Sequence, residues 1–132
     1  MSGINKAILV GHIGEEPSLR YLPGDVAILS FPLATSDFIY KDGQKVEQTE
    51  WHNIVMWRSI AERAAKILKK GKLVYLEGKI RTRSFTDKQE VKRYVTEIIP
   101  DMFTLLGRKD DFGAEALNQE KESIVLQAGS VS

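Results

Sequence analysis

One predicted helix, set among five stretches of strand-like composition, constrains the fold of this chain more than any other feature of its sequence. Residues 4–13, 26–35 and 49–57 precede the helix, and residues 72–85 and 91–106 follow it. Each stretch is rich in β-branched and aromatic residues. Turn-forming Gly, Pro and Asp residues lie between several of them. The sequence therefore predicts three strands, one helix and two further strands.

The helix itself is predicted from a capping pattern and from apolar spacing. Ser59 and Glu62 have the separation of a capping box, and Gly71 is expected to end the helix. Three strands, a helix and two strands is the order of an OB-fold, a five-stranded Greek-key barrel. We therefore expect an all-β fold with one α-helix between strands 3 and 4, and long β-hairpins with turns at 41–45 and 87–90. The apolar face of the helix would consist of Ile60, Ala64, Ile67 and Leu68.

The net charge of +1 conceals an asymmetry along the 132 residues. Residues 1–108 contain 17 Lys and Arg against 13 Asp and Glu, a balance of +4, whereas residues 109–132 contain 2 against 5, a balance of −3. The last segment also loses the alternating apolar pattern. We expect one folded, mildly basic domain over residues 1–108 and a mostly disordered, mildly acidic C-terminal tail over residues 109–132.

Several classes of function find no support in the sequence. There is no Cys, and the two histidines, His12 and His52, have no companion that would complete a zinc set. No nucleophile with an adjacent base and no Gly-rich phosphate loop is present. Residues 1–6 lead directly into a strand without the pattern of a secretory signal. We therefore expect no enzymatic activity, metal or cofactor, no membrane partner, and a cytoplasmic location.

Strand alternation groups the residues with the clearest binding chemistry. Alternate side chains of a strand share a face, so Trp51 and Trp57 point the same way. In residues 72–85 the same count predicts an inward row and an outward row. The inward row is Val74, Leu76, Gly78 and Ile80; the outward row is Tyr75, Glu77, Lys79, Arg81, Arg83 and Phe85.

Each part of this pattern also has a plainer interpretation. A Trp in a strand is commonly buried in the core, and a stripe of Lys and Arg on a strand is usually a solvated face. Aromatic rings beside cations suit an unpaired nucleic acid, because rings stack on flat bases while cations contact phosphates. The occurrence of both features in neighbouring strands favours the binding interpretation.

The sequence resembles the bacterial and mitochondrial single-stranded DNA-binding proteins over about residues 3–108. The likeness is carried by GINKAILVGHIGEEPSLRY (3–21), LATS (33–36), QTEWHNIVMW (48–57), KKGKLVYLEGKIRTRSFTD (69–87) and RYVTEI (93–98). This resemblance implies an OB-fold, assembly as a homotetramer, and sequence-independent binding of single-stranded DNA in replication, recombination and repair. It also implies a nucleoid-associated location.

Site residues follow from the resemblance position by position. Trp51, Trp57 and Phe85 fall where the family has stacking aromatics, and Arg81 and Arg83 fall at its phosphate contacts. The resemblance also implies a subunit boundary at His52, with Asn5 and Tyr75 as further boundary candidates. The remaining basic candidates for DNA contact are Lys79, Lys70, Lys6 and Arg20.

The sequence departs from the family pattern at two places. A further stacking Trp of the family aligns with Ile39, so that either Phe38 or Tyr40 would have to supply the ring, and a one-residue slip reverses the face. The family's acidic C-terminal tip, which recruits replication and repair proteins, has no counterpart in residues 126–132. Recruitment of such partners through that tip is therefore not expected.

Two other functions are compatible with the same barrel. One is a protein-interaction module of a primosome or conjugation apparatus that binds DNA poorly, against which the retained aromatics argue. The other is RNA binding of the cold-shock kind, because every base offers a π-face. Competition between matched RNA and DNA oligomers would separate the second from DNA binding.

Overall fold

The computed structural model describes residues 2–107, which form six strands and one helix. Four strands precede the helix, and the last of them runs directly into it. The elements are β1 (Ala7–Ile13), β2 (Ser18–Leu22), β3 (Val26–Lys41), β4 (Gln44–Trp57), α1 (Arg58–Ile67), β5 (Leu73–Thr86) and β6 (Lys92–Leu106).

The strands are ordered β1-β5-β6-β4-β3-β2, and β1 also pairs with β3. This extra pairing closes β1, β5, β6, β4 and β3 into a five-stranded barrel and leaves the short β2 outside the ring. All pairings are antiparallel except that of β4 with β6. The helix follows the third strand of the ring, so the predicted five-stranded OB-fold is confirmed.

Barrel closure requires a close approach between β1 and β3. A side chain at Gly11 would collide with the backbone carbonyl of Ala34, so this pairing needs a residue without a Cβ. Pro32 lies in the gap between two ladders of β3, because pairing with β2 ends at Ser30 and pairing with β1 begins at Leu33. The missing N–H of proline is therefore tolerated in a central strand.

The core fills the barrel and the junction with the helix. Buried residues alternate with half-buried or exposed ones along the barrel parts of β4 and β5 and along β3 after Ile28. The helix contributes Ala61 and Ala64, and Leu68 follows it into the core. The largest fully buried side chains are Ile13, Leu29, Leu33, Ile54, Met56, Leu68, Val74 and Leu76.

Two hairpins extend beyond the barrel. The β3–β4 hairpin pairs without a break from Ile28 opposite Trp57 to Lys41 opposite Gln44. Asp42 and Gly43 close it with positive φ angles of 52° and 79°, the geometry of a two-residue type I′ turn. Its residues 36–49 are exposed on both faces, and we name them the first arm. We name the exposed part of the β5–β6 hairpin, residues 79–96, the second arm.

The helix differs from its prediction at both ends. It begins at Arg58, whose positive φ of 63° forms the corner after β4, and it has no side-chain cap. Ser59 therefore lies inside the first turn, where it cannot act as a capping residue. The helix ends at Ile67 because Leu68 is extended and buried, so Lys70 lies beyond it. Ile67 is exposed, whereas Ala61, which was not part of the predicted apolar face, is buried in the core.

The prediction that Ile80 is buried in the barrel interior is wrong, although Ile80 is on the inward side of β5, opposite buried Ile98. Ile80 is 44% exposed because the barrel ends at Gly78. There β6 carries an extra residue, as Glu77 lies opposite Met102 and Gly78 opposite Pro100. Beyond this bulge β5 and β6 form a ribbon whose inner face has no opposite wall.

The prediction for the C-terminal tail, residues 109–132, lies outside the described residues. Within residues 2–107 no helix is long and apolar enough to cross a membrane.

Candidate nucleic-acid interface

The register of the sheet places the predicted binding residues of different strands on one outer face. Residues directly opposite each other on neighbouring strands present their side chains on the same side. On β4, Trp51, Asn53 and Trp57 are exposed and alternate with buried Ile54 and Met56. The two tryptophans therefore lie on the outside of the barrel, as their spacing predicted.

Asn53 connects this face to the second arm. It lies opposite Glu97 of β6, and Glu97 lies opposite Arg81 of β5. The outward row of β5 thus continues the face that carries the tryptophans. Lys79, Arg81, Arg83 and Phe85 of this row are all exposed.

The first arm extends the same face with two more rings. Phe38 lies opposite Glu47 and Tyr40 opposite Lys45, in unbroken register with the pair Ala34 and Trp51. Both rings are therefore on the side of Trp51. Ile39, which pairs with Val46, is on the reverse side. An aromatic at either Phe38 or Tyr40 can reach this face without any slip of register.

The aromatic rings of this face are accessible. The exposed fraction is 60% for Trp51, 45% for Phe85 and 38% for Trp57. Phe38 and Tyr40 are more than half exposed. A core role would require these fractions to be near zero, so the plainer interpretation of the tryptophans as core residues is wrong.

The cations of the second arm differ in their electrostatic surroundings. Arg83 donates from Nε and Nη2 to Oε2 of Glu97, at 3.2 and 3.0 Å, and Glu97 is only 8% exposed. The guanidinium carbon of Arg83 is 5.9 Å from the centre of the Phe85 ring. Among the described residues, no carboxylate forms an ion pair with Lys79 or Arg81. Arg83 is therefore neutralised locally, whereas Lys79 and Arg81 are available to an anion.

Asp87 organises the turn at the tip of the second arm. Its Oδ1 accepts the backbone N–H groups of Gln89 and Val91, both at 2.9 Å, and its Oδ2 accepts Arg93 Nε at 2.9 Å. The hydrogen bond from Arg93, followed by the backbone hydrogen bonds, holds the pKa of Asp87 below its ordinary value. Arg93 itself lies opposite Phe85, so the turn also positions a cation beside that ring.

Two cations of the face were missed in the sequence. Lys45 Nζ lies 4.4 Å from the centre of the Phe38 ring, and Arg93 lies opposite Phe85. Both are brought to the aromatics by cross-strand pairing. These two cations could have been predicted from the sequence only by aligning the two strands of each hairpin about its turn.

The remaining basic candidates are more dispersed. Arg20 of β2 lies opposite Ile28, which in turn lies opposite Trp57, so Arg20 shares the outer face. Lys6 forms an ion pair with Glu77 at 3.1 Å. Lys70 is exposed in the segment after the helix. Glu77 belongs to the outward row of β5, so Lys6 lies on that face but is already paired, whereas the register does not join Lys70 to the row of rings.

The three predicted boundary residues are all engaged within the chain. A hydrogen bond of 2.9 Å joins His52 Nε2 and Thr35 Oγ1. The Asn5 side chain donates to the Ile80 carbonyl at 2.8 Å and accepts the Ile80 N–H at 2.9 Å, which extends the β1–β5 ladder. The Tyr75 hydroxyl donates to Glu77, and this hydrogen bond raises the pKa of Tyr75. Their role in assembly stays a prediction.

The fold and this face together define a class of protein: an OB barrel with an exposed aromatic and basic surface, the arrangement that holds single-stranded nucleic acid. Within residues 2–107 no cluster of three or more acidic or His side chains could hold a metal ion. The chain belongs to the single-strand binding protein family, whose model matches residues 4–106. The resemblance stated from the sequence is therefore confirmed.

Individual relatives agree with this assignment. The chain is 42% identical over 118 residues to the single-stranded DNA-binding proteins of two Neisseria meningitidis strains, of serogroups A and B, covering 89% of this chain and 68% of each relative. It is similar in structure to the Plasmodium falciparum SSB in complex with ssDNA, with a TM-score of 0.75 and 30% identity over 81% of this chain and 98% of that one. A deletion mutant of the Thermus aquaticus single-stranded DNA-binding protein gives a TM-score of 0.70 and 29% identity, over 80% of this chain and 51% of that one.

Proposed function

We propose that this protein binds single-stranded DNA without sequence preference and protects it during replication, recombination and repair, at the nucleoid in the cytoplasm. The observation that carries the proposal is the single outer face on which exposed rings from both hairpins lie beside cations. Its rings are Trp51, Trp57, Phe85, Phe38 and Tyr40. Its cations that are unpaired within residues 2–107 are Lys79 and Arg81, and Arg83, whose charge Glu97 compensates, lies beside the Phe85 ring.

Bases and phosphates would be held by different groups of this face. An exposed ring stacks on any base, which contributes about 1–3 kcal/mol per base and reads no sequence. The unpaired cations Lys79 and Arg81 neutralise phosphates, which makes the affinity depend on salt. No bond is made or broken in this scheme, so the proposed activity is binding alone.

The two arms would extend the binding path beyond the barrel. The first arm contributes Phe38, Tyr40 and Lys45. The second contributes Phe85, Lys79 and Arg81. Because both arms are exposed ribbons, a strand of DNA can contact their outer face along its length. The path would run from the first arm across Trp51 to the second arm.

We further propose that the protein assembles as a homotetramer. Apolar side chains on the outside of β1 support this proposal, since Ile8 is 57% and Val10 is 43% exposed. These residues lie opposite Glu77 and Tyr75 of β5, beside the predicted boundary residues. Light scattering of the free protein, combined with an oligo-dT titration, measures the mass of the assembly and the number of bound strands. A monomeric mass at working concentrations would contradict the assembly.

Stacking is tested by replacing one ring on each of two strands, Trp51 on β4 and Phe85 on β5. Trp51→Ala and Phe85→Ala should each weaken binding to oligo-dT by about 1–3 kcal/mol and leave the fold intact, because both rings are exposed. Anisotropy of a labelled oligomer measures the affinity, and circular dichroism monitors the fold. Tyr94→Ala is the matched control. Tyr94 is an aromatic of the same arm, 67% exposed, but it pairs with Ser84 and so lies on the face opposite Phe85.

The same titration decides between the proposed function and its alternatives. Tighter binding of a matched RNA oligomer would favour RNA as the ligand. Absence of binding to either oligomer would favour a protein-interaction module. Loss of affinity in Tyr94→Ala equal to that in Phe85→Ala would show that the outer face is not the binding surface.

A further inference from the structure

The outer edge of the Trp51 indole lies where a side chain at position 14 would be. A Cβ built on Gly14 would lie 2.5 Å from Cζ3 and 2.9 Å from Cη2 of Trp51, and 3.5 Å from Cγ of Pro32. The first two distances are shorter than any contact a real Cβ makes with a ring carbon. The indole therefore occupies space that exists only because residue 14 is glycine.

The backbone at Gly14 has little freedom to move away from the ring. Its N–H donates to the Pro32 carbonyl at 2.9 Å. The preceding residue, Ile13, is buried in the core, and its N–H and carbonyl bond to Lys72 and Gly71 at 3.0 and 2.7 Å. A side chain added at position 14 would thus displace the indole rather than the loop.

We propose that Gly14 is a positioning residue for DNA binding, and that together with Pro32 it forms a seat that sets the orientation of the Trp51 indole. The proposal rests on the stacking role proposed for Trp51. The seat fixes the ring before DNA arrives, so a base meets a ring that is already ordered, and little conformational entropy is lost on binding. Trp51 remains 60% exposed on its seat, which leaves room for a base.

The seat itself is tested on the free protein. The chain has two tryptophans, so in a Trp57→Phe background Trp51 is the sole indole emitter. Adding Gly14→Ala should shift the emission maximum and increase quenching by acrylamide, because the ring leaves Gly14 and Pro32 for water. Gly3→Ala is the matched control, since a Cβ at Gly3 meets nothing within 4 Å. Unchanged emission and quenching in Gly14→Ala would overturn the proposal.

The consequence for binding is tested by a double-mutant cycle with Trp51→Phe. A phenyl ring is shorter than an indole and lacks the two atoms that collide. Gly14→Ala should weaken binding of a labelled oligo-dT about tenfold in the Trp51 background and less than about twofold in the Trp51→Phe background. An equal loss in both backgrounds would overturn the proposal, because it would show that Gly14 acts independently of the indole.

If Gly14→Ala is unstable, urea unfolding of Gly14→Ala with and without Trp51→Phe still tests the proposal. Should Gly14→Ala unfold, Trp51→Phe should restore its folding, since the phenyl ring relieves the collision. If both proteins fail to fold, the seat is not the reason for the glycine. If no variant binds oligo-dT but the emission of Trp51 still shifts, the seat stands and the proposed function fails.

Discussion

Arg81 and Arg83 are two residues apart on the same face of β5, but we predict that only Arg81 contributes to the salt dependence of DNA binding. Arg83 gives two hydrogen bonds to the nearly buried Glu97, so its charge is already compensated inside the protein. Arg81 has no such partner among the described residues. An arginine whose charge is already compensated neutralises a phosphate less, and so releases few of the cations condensed on the DNA.

Two variants test this prediction, one at Arg81 and one at the Arg83–Glu97 pair. Arg81→Gln removes one unpaired positive charge. The double variant Arg83→Gln/Glu97→Gln removes a positive and a negative charge together, which avoids leaving Glu97 buried without a partner. For single strands each neutralised phosphate contributes about 0.7 to the slope of log K against log salt. Arg81→Gln should therefore lower the slope by about 0.7, whereas the double variant should leave it nearly unchanged.

The difference in slope is measurable because the ratio of the affinity of the unmodified protein to that of Arg81→Gln changes with salt concentration. A slope difference of about 0.7 corresponds to about fivefold for each tenfold change in salt. The affinity lost in Arg81→Gln should thus be largest at low salt and shrink about fivefold over a tenfold rise in salt. Anisotropy titrations of labelled oligo-dT across a salt series provide the slopes. An equal decrease of the slope in both variants would refute the argument that Glu97 neutralises Arg83.

Three further predictions concern the first arm, the second arm and the core. Phe38→Leu or Tyr40→Leu should weaken oligo-dT binding by up to about 1–3 kcal/mol, because each removes an exposed ring from the face of Trp51. Asp87→Asn should reduce the loss of stability in acid. The depressed pKa of Asp87 means that its carboxylate stabilises the fold above its ordinary pKa and that this contribution is lost below about pH 4. Leu76→Ala should lower the free energy of unfolding by about 2–5 kcal/mol, since Leu76 is fully buried.

Each of these has a control and a contrary outcome. Ile39→Val is the control for the first arm, and an effect as large as that of Phe38→Leu would place DNA on the reverse face. For Asp87, urea unfolding is followed from neutral pH into acid, and identical pH profiles of the two proteins would exclude its contribution. For Leu76, urea unfolding at neutral pH suffices, and a cost near zero would mean that the side chain is not packed in the barrel.

Features that depend on local periodicity were predictable from the sequence. Trp51 and Trp57 were assigned to one face, and the row from Lys79 to Phe85 to another strand's outer face, by the two-residue repeat alone. That repeat is a property of extended backbone and needs no knowledge of neighbours. The repeat assigns a side and not burial: Ile80 is on the inward side of β5, opposite Ile98, but is exposed beyond the end of the barrel, so its assignment to the interior was wrong.

Features that join distant parts of the chain were not predictable in this way. Whether Phe38 or Ile39 faces the side of Trp51 depends on the register of the β3–β4 hairpin, which the Asp42-Gly43 turn sets. Ser59 has the sequence of a cap but lies inside the helix, because β4 continues to Trp57. In both cases a local pattern was compatible with two structures, and a boundary elsewhere in the chain selected one of them.

By itself, the sequence determined the order of the five barrel strands and the helix, the alternation within each strand and the residue types available for stacking and for phosphate contact, but not the short β2 outside the barrel. Only the tertiary structure decided that the rings of two hairpins share one outer face, that Glu97 neutralises Arg83, and that Gly14 makes room for Trp51. The physical reason is that alternation follows from the geometry of a single strand. Contacts between residues far apart in the chain depend on strand register and on barrel closure, which exist only once the chain has folded.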